Sequence, residues 1–149
     1  EMVKVENSYS RLKTQYAVIF FDIDHFKKVN DTYGHECGDV VLSTFGKILE
    51  KSIRDIDLVA RYGGEEFIAI IHFNLDRELL MLLKRIKSIV TENSFIYQDK
   101  KLKITFSAGV TIRNKYPTYD IALQKADSLL YKAKETGRNK ILLDNGIEI

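Results

Sequence analysis

The 149-residue chain has one cysteine, Cys37, and one proline, Pro117. A single cysteine cannot form an intramolecular disulfide, which favours a reducing compartment such as the cytoplasm. Without a serine- and glycine-rich linker, a chain of this length is expected to form one domain. The longest apolar runs, 16–21 and 67–71, are much shorter than the ~20 residues of a membrane-spanning helix.

Neither sign of charge is in large excess, because 23 Lys and Arg residues stand against 21 Asp and Glu residues. This balance excludes bulk electrostatic binding of a nucleic acid polymer, so any anion site must be local. Hydrophobic residues make up 45% of the chain, which is globular composition and excludes a disordered protein. A chain of this size needs neither a disulfide nor a structural metal to fold.

Apolar periodicity predicts strands at 16–23, 57–62, 66–73, 95–97, 102–112 and 140–143, and helices at 25–30, 39–54, 75–92 and 119–136. Alternation over 102–112 predicts one strand, and the last helix is predicted to bury Ile121. We interpret 1–15 as the remnant of a polar helix or linker in a fragment of a longer protein, and 16–149 as the domain. The order predicts an α/β (α+β) fold. Its mixed, mostly antiparallel sheet is flanked by helices, close to the ferredoxin-like β-α-β-β-α-β plan.

Two carboxylates, Asp22 and Asp24, follow the very apolar first strand and share one strand face. A carboxylate at the end of a buried strand is costly unless it is paired or bound to a metal. Oxygen ligands at this place suit Mg²⁺, which is held by one or two carboxylates and by substrate phosphates. Taken alone, the segment is equally compatible with a helix N-cap or a core salt bridge.

Two acidic residues, Glu65 and Glu66, follow the predicted hairpin turn at Gly63 and Gly64. The glycines suit a tight turn with positive φ. The two glutamates would concentrate negative charge beside the end of the first strand, as a second set of metal ligands. The alternative is an ordinary solvated turn.

Two further segments carry polar side chains that suit a nucleotide. Asn30 and Asp39 flank a glycine-containing loop, and their side chains can complement a guanine edge; a capped loop is the alternative. His35 lies in that loop without any His/Cys metal pattern. Lys134 and Arg138 lie four residues apart at a helix end, where cations complement the helix dipole or clamp a phosphate.

Together, these segments resemble the GGDEF family, the diguanylate cyclase catalytic domains. The stretch 63–67 is the GGEEF form of the family signature, and 21–31 (FDIDHFKKVND) resembles its metal-and-nucleotide loop. GHECGD at 34–39, ADSLLYKAK at 126–134 and GRN at 137–139 resemble further family motifs. The resemblance covers about 17–141. It implies a magnesium-dependent nucleotidyltransferase of bacterial second-messenger signalling, which condenses two GTP into cyclic di-GMP and releases pyrophosphate.

The resemblance assigns roles to individual positions. Catalysis would involve Asp22, Glu65 and Glu66. The same three side chains and the Ile23 carbonyl would bind Mg²⁺ (or Mn²⁺), two ions per half-site, and either glutamate could act as the base. Substrate contacts would come from Phe26, Lys27, Asn30, His35, Asp39, Gly63, Gly64, Lys134 and Arg138. The Asp39 carboxylate would accept from guanine N1–H and the exocyclic amine, which favours GTP over ATP.

An Arg54–Asp57 pair stands five residues before Gly63, which is the spacing of the family's product-inhibition site. The resemblance therefore implies that both residues bind cyclic di-GMP, with Arg85 as a contact from a second domain. Without the resemblance, the pair would be interpreted as a surface ion pair and Arg85 as part of a solvated helix face.

Family members act as homodimers, since each domain holds one GTP, and they typically carry an N-terminal sensor or receiver domain. The expected protein is therefore cytoplasmic, as the cytoplasmic part of a larger bacterial protein that a membrane could anchor. The family's usual DxLTGLxNR segment is not found upstream of the first strand. Two alternatives remain: a catalytically silent sensor of cyclic di-GMP, and a related nucleotidyl cyclase or polymerase palm with another substrate.

Overall fold

The computed structural model describes residues 15–93 and 95–149. The remnant of a polar helix or linker predicted at 1–15 lies outside these residues, except for Gln15, which begins β1. The core is a five-stranded sheet in the order β2-β3-β1-β6-β7. Its strands are β1 (Gln15–Ile23), β2 (Leu58–Arg61), β3 (Glu66–Phe73), β6 (Phe106–Ile112) and β7 (Ile141–Leu143). Only β7 runs parallel to its neighbour, β6, so the predicted mixed, mostly antiparallel sheet is confirmed.

The described residues form four α-helices: α1 (Phe26–Tyr33), α2 (His35–Ser52), α3 (Asp76–Glu92) and α4 (Tyr119–Glu135). The last three pack on the sheet, and α1 packs against α2. A separate hairpin of β4 (Phe95–Tyr97) and β5 (Lys100–Leu102) stands beside the sheet. None of the helices within the described residues is long and apolar enough to cross a membrane.

Apolar residues fill both faces of the sheet. On one face, Phe21 and Phe106 contact Phe45 of α2, with ring centroids 5.6–6.1 Å from that of Phe45. On the other face, α4 lies so close to β6 that a Cβ added at Gly109 would come 2.0 Å from the Ala126 carbonyl oxygen. Because both faces are covered, β6 is buried along its whole length.

Four sequence predictions were wrong in detail. Neither Gly63 nor Gly64 has the positive φ expected of the turn between β2 and β3, since the strands are joined by a four-residue connection instead of a two-residue turn. The segment 102–112 is not one strand, because β5 ends at Leu102 to pair with β4 and β6 begins at Phe106. The second helix begins at His35 instead of residue 39, because a single glycine, Gly34 (φ 93°), suffices to separate it from α1. Ile121 is 42% exposed, since the small residues of α4, such as Ala122 and Ala126, face the sheet instead.

Candidate active site

A cavity of about 460 Å³ opens at the carboxyl end of β1. Four chain segments meet there: the end of β1, the start of α1, the β2–β3 turn and the end of α4. Asp22, Ile23, Phe26, Lys27, Glu65, Lys134 and Arg138 are among its lining residues. The structure therefore brings together, in one cavity, residues that the sequence places up to 116 positions apart.

Asp22 is the most perturbed acid of this cavity. Its side chain is buried and pairs with the ammonium of Lys134, at 2.6 Å from Nζ to Oδ2. Burial raises the pKa of Asp22 to about 6, although Lys134 lowers it; the carboxylates of Glu65 and Glu66 add to the increase. The core salt bridge that the sequence left open is thus present, within a group of acids.

The β2–β3 turn brings both glutamates beside the end of β1. Glu66 lies opposite Asp22 in the antiparallel pairing, and the Ile23 amide donates to the Glu65 carbonyl oxygen at 3.3 Å. Burial raises the pKa of Glu66, with Lys134 opposing the shift. Arg61, to which the sequence analysis assigned no role, stabilises the turn by donating to the carbonyl oxygens of Gly63 and Gly64 at 2.8–3.2 Å.

Asp24 is a buried acid whose role sequence reasoning missed. It accepts from the hydroxyls of Thr105 and Ser107, both at 2.7 Å, and from the Asn139 amide at 2.9 Å. It thereby holds the loop after α4, where Arg138 and Asn139 have the left-handed φ values 61° and 50°. The sequence shows two acids two positions apart, but it cannot show that the donors to Asp24 come from 81–115 residues further along the chain.

Asn30 lies on the inner side of α1, and a buried side-chain oxygen, Oδ1, has no partner within the described residues. A Cβ at Gly38 would meet this oxygen at 1.9 Å, so the glycine makes room for the amide. Asp39 does not line the first cavity. It borders a second groove of about 430 Å³, together with Arg61. His35 is exposed at the start of α2.

Arg54, Asp57 and Arg85 meet in another cavity, of about 310 Å³, between β3 and α3. Asp57 is buried and accepts from the Arg54 side chain at 3.3 Å and from the His72 amide at 2.8 Å. Arg54 also donates to the His72 carbonyl oxygen, and Arg85 donates to that of Ser52 at 2.6 Å. The three predicted residues are therefore neighbours, and the pair also joins the α2–β2 connection to β3.

No group of three or more His, Cys, Asp or Glu side chains is close enough to enclose a metal ion in residues 15–93 and 95–149. The acids at the end of β1 nevertheless fit a hard divalent cation. Glu65 and Glu66 add to the burial that raises the pKa of Asp22, Glu65 adds to the raised pKa of Glu66, and Lys134 pairs with Asp22. A bound cation would offset the repulsion among these carboxylates.

Comparison with known proteins agrees with this geometry. The sequence model of the family described as "Diguanylate cyclase, GGDEF domain" matches residues 3–140. The chain belongs to this family. Among curated GGDEF proteins, Diguanylate cyclase A of Treponema denticola is 38% identical over 138 residues. These residues are 92% of this chain but 37% of that protein.

Solved GGDEF structures have the same fold. The GGDEF domain of DgcB from Caulobacter crescentus, in complex with c-di-GMP, gives a TM-score of 0.88 at 27% identity, covering 96% of this chain and 85% of that one. The active GGEEF domain of a diguanylate cyclase from Vibrio cholerae gives 0.81 at 33% identity, covering 94% and 89%. The chain spans 31–42% of the length of the first three curated relatives.

Proposed function

We propose that this chain is the catalytic domain of a diguanylate cyclase that condenses two GTP molecules into cyclic di-GMP and releases two pyrophosphates. The observation that carries the proposal is the cavity at the end of β1, where carboxylates and phosphate-binding cations meet. Membership of the GGDEF family supports cyclic di-GMP synthesis as the reaction of such a site.

The metal ligands would be the carboxylates of Asp22, Glu65 and Glu66 and the Ile23 carbonyl, as the excess of negative charge around Lys134 supports. Two Mg²⁺ or Mn²⁺ ions would, when bound, stabilise charge on the attacking and leaving oxygens. Asp22 would bind them in its ionised form, so Lys134 would have to share or release Oδ2.

The phosphates would lie against Lys27, Lys134 and Arg138, which line the cavity from α1, from α4 and from the loop after α4. Lysine serves as a point charge and arginine as a planar fork for phosphate oxygens. The backbone at 23–27 supports the same role, because His25 has φ 56° just before α1 begins and exposes the first amides of that helix. The protein would therefore contribute mainly positioning and electrostatic stabilisation.

Guanine would be recognised by Asn30 and Asp39, with Phe26, His35, Gly63 and Gly64 as further substrate contacts. The Oδ1 of Asn30 has no partner among the described residues, which supports this role, since a guanine N–H could donate to it. Asp39 lies on the far side of Gly38, facing a groove of its own, so the two side chains would approach the base from different directions. Either glutamate could accept the 3′-hydroxyl proton; the raised pKa of Glu66 favours it as the acceptor.

Catalysis requires two GTP molecules and thus a homodimer of half-sites. The cavity of one chain is open to solvent. Each GTP would present its α-phosphorus to the 3′-hydroxyl of the GTP bound by the other chain. An N-terminal sensor or receiver domain, in a cytoplasmic or membrane-anchored whole protein, would set how often the two domains meet.

Product inhibition would use the cavity of Arg54, Asp57 and Arg85. Arg54 is the residue best placed for a phosphate or guanine edge, because its side chain is 55% exposed while Asp57 is buried beneath it. The second candidate function, a silent sensor of cyclic di-GMP, rests on this same cavity. The intact Gly63–Glu66 signature favours synthesis over sensing.

Two substitutions separate synthesis from sensing. Glu65→Ala should reduce cyclic di-GMP synthesis at least ~100-fold by removing a transition-state interaction, and should spare cyclic di-GMP binding. Arg54→Ala should retain synthesis, weaken product binding and relieve inhibition. Glu92→Ala and Arg77→Ala, at exposed positions of α3, are the matched controls. Unchanged turnover in Glu65→Ala would refute the catalytic assignment.

The nucleotide itself is tested at Asp39. Asp39→Ser should lose GTP use, because an accepting carboxylate is removed from the guanine edge. Measuring turnover with GTP and with ATP checks this. A variant that loses no GTP turnover would favour the other nucleotidyl cyclase class.

A further inference from the structure

Another cleft, of about 300 Å³, lies between α1 and the segment that runs from β5 to β6. The α1 wall presents His25, Lys28, Thr32 and Tyr33, and the opposite wall presents Lys101 and Lys103. Val29, Leu102 and Ile104 form its apolar part. Asp24, His25 and Lys28 line both this cleft and the catalytic cavity, whereas Lys101 and Lys103 line this cleft and not the catalytic cavity.

The cleft concentrates positive charge that nothing in the described part of the chain neutralises. Lys28, Lys101 and Lys103 are exposed and form no ion pair there. A fourth lysine, Lys100, lies 5.6 Å from the ring centroid of Tyr33 and adds to the field at the rim. The net charge of the whole chain is only +2, so this concentration is local.

Among the described residues that line the cleft, Asp24 is the acidic one, and it is already engaged. It is 5% exposed, and two hydroxyls and one amide donate to it. Its oxygens are therefore turned to these donors and not to the lysines. Lysines on two facing walls would repel one another less when an anion lies between them.

The walls are held in place, so the lysines face each other across a defined gap. Tyr97 of β4 donates to Glu36 of α2 at 3.1 Å, and Phe95 and Leu102 are buried beneath the hairpin. Thr105 joins the β5–β6 segment to Asp24 at 2.7 Å. The cleft volume, about 300 Å³, is that of a small-ligand site.

We propose that this cleft binds a polyphosphate anion, either free pyrophosphate or the phosphate chain of a nucleotide, between Lys28 on one wall and Lys101 and Lys103 on the other. Ammonium groups bind phosphate oxygens as compact point charges, and the Thr32 hydroxyl adds a donor from α1. The proposal is independent of the catalytic assignment, because it uses none of the residues proposed to bind metal, guanine or the substrate phosphates.

The test exploits the absence of tryptophan from the chain. Tyr33→Trp places a single tryptophan in the cleft wall, at a position 39% exposed. Titration with inorganic pyrophosphate in EDTA, at fixed ionic strength, should change its fluorescence saturably. Lys101→Ala/Lys103→Ala in this background should weaken binding ~10-fold or more, since two charge-assisted contacts are lost. Lys51→Ala/Lys84→Ala, at exposed positions of α2 and α3, should leave binding unchanged.

Further arms identify the source and the site of the signal. GTP that binds with the same lysine dependence and more tightly assigns the cleft to a nucleotide's phosphate chain, and tighter binding of pyrophosphate assigns it to the free anion. Calorimetry of the tryptophan-free chain should lose one pyrophosphate site in Lys101→Ala/Lys103→Ala. The proposal would be overturned if pyrophosphate binding did not saturate, or if both lysine-pair variants weakened binding equally. It would also be overturned if Arg138→Ala lost the binding, or if an acidic hexapeptide competed more strongly than pyrophosphate.

Discussion

Asp22 and Asp24 are only two residues apart and equally buried, yet their surroundings give them different properties. Asp22 has one cationic partner, Lys134, and two acidic neighbours, whereas three donors converge on Asp24. The sequence predicted that two acids end β1. It could not predict which would be reactive, because the deciding partners come from β6, the β2–β3 turn and α4. Chemistry at this site therefore depends on tertiary neighbours more than on the motif.

The first prediction concerns the pH dependence of stability in EDTA. Burial raises the pKa of Asp22 in the folded state to about 6, from an ordinary value of 3.8, so the folded state binds more protons and stability falls as pH rises through that window. Asp22→Asn removes this cost. The free energy of unfolding of Asp22→Asn minus that of the wild type should therefore increase by about 2 kcal/mol from pH 4 to pH 7, allowing for partial screening by water in the cavity.

Urea unfolding at several pH values measures this difference. Asp120→Asn, at an exposed position in the first turn of α4, is the control. The difference in free energy of unfolding between this variant and the wild type should change little between pH 5 and 7. A difference between Asp22→Asn and the wild type that shrinks as pH rises would contradict the assigned direction.

The second prediction concerns Asp24. An asparagine has one accepting oxygen instead of two and cannot satisfy all three donors, so Asp24→Asn should lower the free energy of unfolding by about 2 kcal/mol. Because the loop that carries Arg138 is released, KM for GTP should rise more than kcat falls. Denaturant unfolding and steady-state kinetics check both parts. An unchanged KM in a destabilised variant would limit Asp24 to a structural role.

At the scale of elements, apolar periodicity predicted the strands at 16–23 and 66–73 and the helices at 75–92 and 119–136 within one or two residues at either end. It failed at 102–112, where alternation continues across the break between β5 and β6. The β4–β5 hairpin depends on the left-handed turn residues Gln98 and Asp99 (φ 47° and 66°), which carry no glycine signal. The local pattern of apolar residues thus predicts the long helices and strands, whereas the short strands depend on the strands with which they pair.

The third prediction tests how α4 packs on β6. A methyl group at Gly109 would meet the backbone of α4 at 2.0 and 2.6 Å, so Gly109→Ala should destabilise the domain by about 1–3 kcal/mol or more. Gly46→Ala, inside α2 and 3.4 Å from Phe67, is the matched control and should be neutral or stabilising by up to about 1 kcal/mol. Thermal unfolding compares the two. Equal effects would show that the α4–β6 contact is looser than described.

At the scale of the whole molecule, the two cavities proposed to bind substrate and product lie apart on the same sheet. The cavity at the end of β1 contains the acids, and the cavity at the other end of β3 contains Arg54, Asp57 and Arg85. Spacing and resemblance predicted both groups of residues. The structure brings Asp22, Glu65, Lys134 and Arg138 together in one cavity and Arg54, Asp57 and Arg85 in the other, and their binding roles stay predictions. It could not predict that Asp39 faces a separate groove or that Lys28, Lys101 and Lys103 share a cleft, because both depend on how helices and hairpin pack.

The central claim, synthesis of cyclic di-GMP by two half-sites, is tested most directly by GTP turnover with Mg²⁺ across a range of protein concentrations, with chromatographic separation of products. Since two domains must meet, mass action predicts that cyclic di-GMP and pyrophosphate form faster than in proportion to protein concentration below saturation of the dimer. A rate strictly proportional to protein concentration throughout, or turnover of GTP to any other product, would contradict the account.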